Sequence, residues 1–290
     1  MKLIKPSFEI WEQEPGLEGI YKVIERAGRV CYKSEDKITE DSAKPFVDRM
    51  VKAGHGAMLE HSTVYLKVPN EGLLRNFIDN TPSHFNYEWC RTNPVMDEDN
   101  NVYITTNYRH IIEHKLEDYL KYICKPTEFH EKRITVKFIL SRSIAQEYTR
   151  HRMFSFAMES QRYCAYNRDK FGNEVTFIIP CWLNWDEQVI HRGDFEKSGS
   201  GSMDSYIFVN SLLDAESSYL DLVKENWKAQ QAREVLPNAC KTELIMTGFV
   251  SDWRHFFELR CATNAHPQAR ELAIPLREEF IKRGYITKLE

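Results

Sequence analysis

The chain has 290 residues, 42% hydrophobic and 28% charged, with a formal net charge of −4; this is the profile of a globular protein with room for a well-buried core. The acidic balance argues against a general polyanion binder but leaves room for a local basic pocket. The N-terminal MKLIKPSFEIWEQEPG lacks an apolar signal region, no apolar run reaches membrane-spanning length, and the seven cysteines are scattered without CxxC spacing. These features argue against a membrane span, a disulfide framework and a zinc ribbon, and imply a reducing cytoplasm.

Lys2 to Trp11 reads as a strand, closed by the turn Glu14-Pro15-Gly16. Leu17, Ile20, Val23, Ile24 and Ala27 recur at helical spacing and predict a helix from Leu17 to Val30. A second helix is expected from Thr39, its N-cap, to Ala53, with Gly54 as the stop. The loop GHGAMLEH leads into a strand over Ser62 to Val68. Asn70 opens a short helix expected to run to Asp79, ahead of Thr81-Pro82. Polar residues from Asn93 to Asn101 form a turn before the return strand VYITTN.

Ile134 to Leu140, ITVKFIL, is rich in β-branched and aromatic residues and predicts another strand. Ser143-x-x-Gln146 then resembles a capping box for a helix bearing Glu147 and Arg150 to Arg152. His191 to Asp204, HRGDFEKSGSGSMD, reads as an exposed flexible loop, and Met203 to Leu236 as one long amphipathic helix ended by Pro237. The strand TELIMTGFV, a helix from Asp252 and a helix from Pro267 to Arg283, with Gly284 past its end, complete the chain. Strands and helices interleave without strict βα alternation, so the expected class is α+β.

Positive charge concentrates in RHRMFSFAMESQRY, Arg150 to Tyr163. A solvated helix end could carry such a triplet without any ligand. Phe154, Phe156 and Tyr163 argue against wholesale exposure, and Ser155 and Ser160 add hydroxyl donors suited to phosphate or a heterocycle edge. Arginine forks match phosphate and carboxylate oxygens. In SDWRHFFELRC, Trp253, Phe257 and Arg260 share one helical stripe, so Arg260 stands where a leucine is expected; it either snorkels to water or reads an anion. Arg233, before Val235-Leu236-Pro237, has an ordinary role as a cation at a helix end.

His55, Glu60 and His61 lack metal-ligand spacing and a further strong ligand, so no metal is expected there. No GxGxxG joins a strand to a helix, and no Walker loop, GxSxG elbow or recognisable cysteine nucleophile is present.

Arg150-His151-Arg152, followed after seven residues by Ser160-Gln161-Arg162-Tyr163, resembles the signature of the flavin-dependent thymidylate synthases. Ala27-Gly28-Arg29-Val30-Cys31-Tyr32-Lys33-Ser34, Gly54-His55 with Glu60-His61, Arg233-x-x-Leu236-Pro237 and His255-Phe256-Phe257-x-Leu259-Arg260 match in the family's order. The resemblance implies one α+β domain over residues 1–290, with a central, mostly antiparallel sheet flanked by helices. It also implies a homotetramer with active sites between subunits. The implied reaction converts dUMP to dTMP, with 5,10-methylenetetrahydrofolate supplying the carbon and NADPH reducing FAD, and without a cysteine nucleophile.

Carried over by position, Glu147, Arg150, Ser160, Gln161, Arg162, Arg233 and Arg260 bind dUMP, while His55, Arg150, His151, Arg152 and His255 contact FAD. Arg260 is the expected catalytic residue, stabilising the uracil as its N3 proton is lost. Met158 stands where the family more often has Glu or Gln, so a polar flavin or nucleotide contact is either lost or supplied by Glu159. Ala57 stands where a hydroxyl residue is common, and Phe249 where some members have asparagine. Two other readings make different predictions: a flavoprotein delivering a hydroxymethyl unit gives a different product from dUMP, and a single-stranded nucleic-acid binder purifies colourless with steeply salt-dependent binding.

Overall fold

Two nine-residue runs, Arg133–Ser141 and Lys241–Phe249, pair antiparallel along their whole length and form the centre of the fold. The computed structural model describes residues 1–69, 90–93, 101–164, 166, 172–192 and 202–287. Its strands, in chain order, are β1 (Lys2–Ile4), β2 (Ser7–Trp11), β3 (Val64–Pro69), β4 (Arg91–Asn93), β5 (Asn101–Thr106), β6 (Arg133–Ser141), β7 (Ser155–Met158), β8 (Thr176–Ile178), β9 (Gln188–Val189) and β10 (Lys241–Phe249). The α-helices are α1 (Gly16–Tyr32), α2 (Ala43–Lys52), α3 (Gly56–Leu59), α4 (Tyr108–Glu113), α5 (Arg142–Tyr148), α6 (Met203–Lys224), α7 (Ala229–Ala232), α8 (Val250–Arg260) and α9 (Pro267–Lys282).

The central sheet has the order β2-β6-β10-β7 and is antiparallel throughout; β3-β5-β4 forms a second antiparallel sheet. In the third, β8-β1-β9, only the β1–β8 pair is parallel. The protein is therefore α+β, as expected.

Strand alternation divides the central sheet into two faces. Val136, Phe138, Leu140, Leu244 and Met246 pack with Tyr148 of α5, Trp253, Phe256 and Phe257 of α8, and Leu272 and Phe280 of α9. On the other face, Ala157 and Ile245 pack with Ala27 and Val30 of α1. The same face carries a polar row: Thr135 and Thr247 share a hydrogen bond of 2.9 Å, and Glu243 meets Lys241, Lys137 and Lys33. Val64, Leu66, Val102 and Ile104 of the second sheet pack with Ile20, Ile24 and Val47 of α1 and α2.

Several expectations need correction. The Lys2–Trp11 strand is two strands in different sheets, separated at Lys5 and Pro6, where proline cannot continue a ladder. α2 begins at Ala43 rather than just after Thr39, with Pro45 in the first turn, where helical N–H groups have no partner to lose. α5 is capped by Ser141, whose Oγ accepts from Ile144 N, and it stops at Tyr148, so Arg150–Arg152 lie in the turn beyond it. The predicted Met203–Leu236 helix ends at Lys224, and Asn226 adopts φ +66, a left-handed conformation asparagine tolerates. Arg233 consequently sits in a short 3₁₀ turn, Arg233–Val235. The Asn70–Asp79 helix, and residues 193–201 of the expected flexible loop, lie outside the described residues.

Candidate active site

The turn after α5 and the length of α8 enclose a cavity of about 450 Å³, lined by Arg150, His151, Arg152, Met153, Phe154, Ser251, Asp252, His255, Leu259 and Arg260. Arg260, in the last turn of α8, turns back over the end of α5. Its Nη1 donates to Glu147 Oε2 at 2.8 Å, its Nη2 to Glu147 O at 2.7 Å, and its Nε to His151 Nε2 at 2.9 Å. Since His151 Nε2 accepts, the ring proton resides on Nδ1. Burial, reinforced by the Arg260 charge and by His255, pushes the His151 pKa down to about 4, which keeps the imidazole neutral at neutral pH.

Phe154 forms the apolar floor, edge-on to Trp253 at 4.7 Å between centroids. Gly248 is required beneath it, because a Cβ there would lie 2.5 Å from the ring. Asp252 Oδ2 accepts from Phe249 N at 3.1 Å and so caps α8; burial raises its pKa. Arg150, Arg152 and His255 are exposed on the rim. Met153, Phe154, Ser251, Asp252 and Leu259 were not expected as site residues. One signal for the helical ones was available in the sequence: Ser251, His255 and Leu259 follow at i, i+4 and i+8, a stripe beside the buried Trp253–Phe257 stripe.

The remaining expected residues fall elsewhere. Ser160 N donates to Cys31 O at 3.0 Å, which docks the Ser160–Tyr163 turn on the C-terminal end of α1. Arg162 is exposed above the Tyr163 ring, and Tyr163 lies 5.2 Å from Tyr32. Gln161 turns inward, its Nε2 donating to Tyr166 OH at 3.4 Å. Glu159 does not supply a polar group in place of Met158: it is buried and paired with Lys241 at 2.8 Å. Arg233 is half-buried, 3.5 Å from Glu234, and among the described residues no hydrogen bond or ion pair joins it to either cluster. His55, exposed, precedes α3.

The Arg260 cavity lies with α5 and α8 on one face of the central sheet, and the Ser160 turn lies against α1 on the other. Edge strand β7 connects them, and the stretch from Phe154 to Ser160 covers roughly 20 Å if extended. Among the described residues, no group of three or more His, Cys, Asp or Glu is placed to hold a metal ion, and no helix is long and apolar enough to cross a membrane.

The fold is α+β, with arginine-bearing clusters at both ends of the edge strand β7. A family model described as thymidylate synthase complementing protein matches residues 96–283, well over half of the chain, and the chain belongs to that family. It is 25% identical over 271 residues to the flavin-dependent thymidylate synthase of Corynebacterium aurimucosum, covering 91% of this chain and 77% of that protein. The flavin-dependent thymidylate synthase of Corynebacterium efficiens is 35% identical over 147 residues, 49% of this chain and 54% of that one. Among solved structures, a UMP/dUMP methylase from Streptomyces cacaoi bound with 5-Br UMP superposes with a TM-score of 0.44 at 16% identity, covering 97% of this chain and 92% of the other.

Proposed function

We propose that this protein is a flavin-dependent thymidylate synthase, converting dUMP to dTMP with 5,10-methylenetetrahydrofolate as carbon donor and NADPH as reductant of FAD. The observation that carries the reading is Arg260, held by Glu147 and a neutral His151 at the wall of a cation-rimmed cavity. The donor set fits a flavin nucleotide: Arg150 and Arg152 suit its pyrophosphate, and Met153, Phe154 and Leu259 offer apolar surface to its rings. Arg150, His151, Arg152, His255 and His55 would hold it. When bound, FAD supplies the two-electron chemistry that reduces the transferred carbon with electrons from NADPH.

The chain's own residues bind and polarise the nucleotide. Ser160, Gln161 and Arg162, with Glu147, Arg150 and Arg233, line the dUMP site, and phosphate binding at a distance holds the uracil in place. Arg260 stabilises negative charge on the ring as the N3 proton is lost, which raises the nucleophilicity of C5. Its anchored guanidinium needs no reorganisation at that moment.

A single chain keeps the Ser160 turn and the Arg260 cavity on opposite sheet faces. That separation supports a site shared between subunits of a homotetramer, with one copy's turn facing another's cavity. The setting is the cytoplasm. The test is product mass spectrometry after incubation with dUMP, NADPH and methylenetetrahydrofolate, alongside the visible spectrum of the purified protein with and without dUMP. dTMP from a yellow protein is the expected result; a hydroxymethyl product, or a colourless protein making nothing, overturns the assignment.

A further inference from the structure

Arg133, the first residue of β6, is 6% exposed, yet among the described residues no carboxylate stands within ion-pair distance of it. Its Nη1 donates to Ser62 O at 2.9 Å and its Nη2 to Glu60 O at 3.1 Å, with Ser155 Oγ at 3.5 Å. The guanidinium carbon lies 5.4 Å from the ring centre of Phe249, its cross-strand partner. Burial pushes its pKa down to about 10, against the opposing pull of the non-contacting carboxylates of Glu60 and Asp252, so it remains charged at neutral pH. Burying a cation with no carboxylate in contact costs on the order of several kcal/mol, offset only in part by charges at longer range, and an apolar residue of similar size avoids that cost. The position therefore calls for a use of the fork itself.

The topology supplies one. After His55 and α3 the chain passes through Glu60–Ser62 into β3, departs for the second sheet, and returns to the central sheet at Arg133. The guanidinium closes the neck of this excursion by gripping two carbonyls on the outgoing segment. Short bonds carry that grip back to His55: Ser62 Oγ donates to Leu59 O at 3.0 Å, His61 N to Met58 O at 3.3 Å, and Met58 N to His55 O at 3.3 Å. From outside, Arg109 pairs with Glu60 and lies so close over Gly56 that a Cβ there would sit 2.8 Å from its Nε. On the inner side, Ser155 directly follows the cavity residue Phe154, and Phe249 directly precedes α8, which bears Ser251, Asp252 and His255. One guanidinium thus meets the segments that carry His55, His151 with Arg152, and His255.

We propose that Arg133 is a positioning residue for the flavin side of the reaction, its fork setting the His55–Ser62 loop against the strand ends that carry the cavity. It touches no reacting atom and acts through backbone carbonyls and Ser155. The role in catalysis rests on the thymidylate synthase reading.

The test uses Arg133→Lys, which keeps the cation but loses the two-pronged grip, and Arg133→Met, which removes the charge. For each, amide hydrogen exchange over residues 55–62 accelerates about tenfold or more while β10 stays protected. In the same proteins kcat falls about tenfold or more, and the KM for dUMP stays within about twofold. Exchange is read independently of activity, so a wild type that makes no dTMP sinks the reaction assignment, whereas an active wild type with unchanged loop exchange in the variants sinks the role of Arg133. Loss of the fold in both variants, or equal losses in kcat/KM expressed wholly in the dUMP KM, assigns Arg133 to stability or substrate binding instead and overturns the proposal.

Discussion

Arg260 is oriented by its own chain: the carboxylate and carbonyl of Glu147 and the lone pair of His151 take three of its N–H groups, leaving others for a ligand. On the proposed reading Arg260→Ala removes the charge that stabilises the uracil, and turnover is expected to fall by about a thousandfold or more, with the fold and the yellow colour retained. Steady-state kinetics with an absorbance spectrum of the variant check this; near-normal kcat would remove Arg260 from its role. Arg162 is a different case, exposed and resting on Tyr163. Arg162→Ala is expected to raise the KM for dUMP about tenfold or more, equivalent to about 1.4 kcal/mol of binding, without loss of thermal stability. An unchanged dUMP affinity, measured by titration, would place the nucleotide elsewhere.

At the scale of elements, the cavity depends on how β7 and β10 deliver the two ends of the Phe154 contact. Gly248 leaves room for a ring that is itself wedged against Trp253 and Phe256, neither of which is exposed. A methyl group at this point cannot be absorbed by a flexible neighbour. Gly248→Ala is expected to destabilise the protein by about 1–3 kcal/mol, measured by urea unfolding, and to lower the flavin content of the purified protein by displacing the cavity floor. A variant with wild-type stability and full flavin content would show that Phe154 is not held as described. The Lys33, Lys137 and Lys241 cluster around Glu243 depends on the same strand alternation, and it draws the Glu243 carboxyl well below its ordinary range.

For the whole molecule, the placement of the Arg260 cavity and the Ser160 turn on opposite sheet faces leads to a complementation experiment. Arg162→Ala and Arg260→Ala damage different halves, so at dUMP well below the raised KM, mixing the two variants under subunit exchange is expected to give more activity than the sum of the two measured separately; activity no greater than that sum after proven exchange would exclude a shared site. Acid sensitivity is a second global property. Burial lowers the pKa of His61 to about 3 and of His110 to about 4, against about 6.5 in an unfolded chain. In that interval the unfolded state binds protons that the folded state refuses. Their contribution to stability is therefore intact above about pH 6.5 and is lost as pH falls through 6 and 5, at about 1.4 kcal/mol per pH unit for His61. Urea midpoints across that range check it, and His61→Gln should flatten the profile.

The class of fold was legible in the sequence, and so was the family, through the spacing of Arg150-His151-Arg152 and Ser160-Gln161-Arg162. The periodicity of α1 was legible because its buried residues Ile20, Val23, Ile24 and Ala27 need only one face covered, whatever covers it. β6 and β10 were legible for the analogous reason, and Arg260 was visible as a cation on an apolar stripe. Tertiary structure decided where the expected residues meet. α5 ends at Tyr148, whose hydroxyl is tied to Ala269 O at 2.8 Å, and the chain then reverses to reach β7; local propensity carries no record of that reversal. The placement of the Arg260 cavity and the Ser160 turn on opposite sheet faces, and the grip of Arg133 on carbonyls 71 and 73 residues away, likewise depend on contacts distant in sequence. Such contacts follow from how the sheets pack together, and no local pattern encodes them.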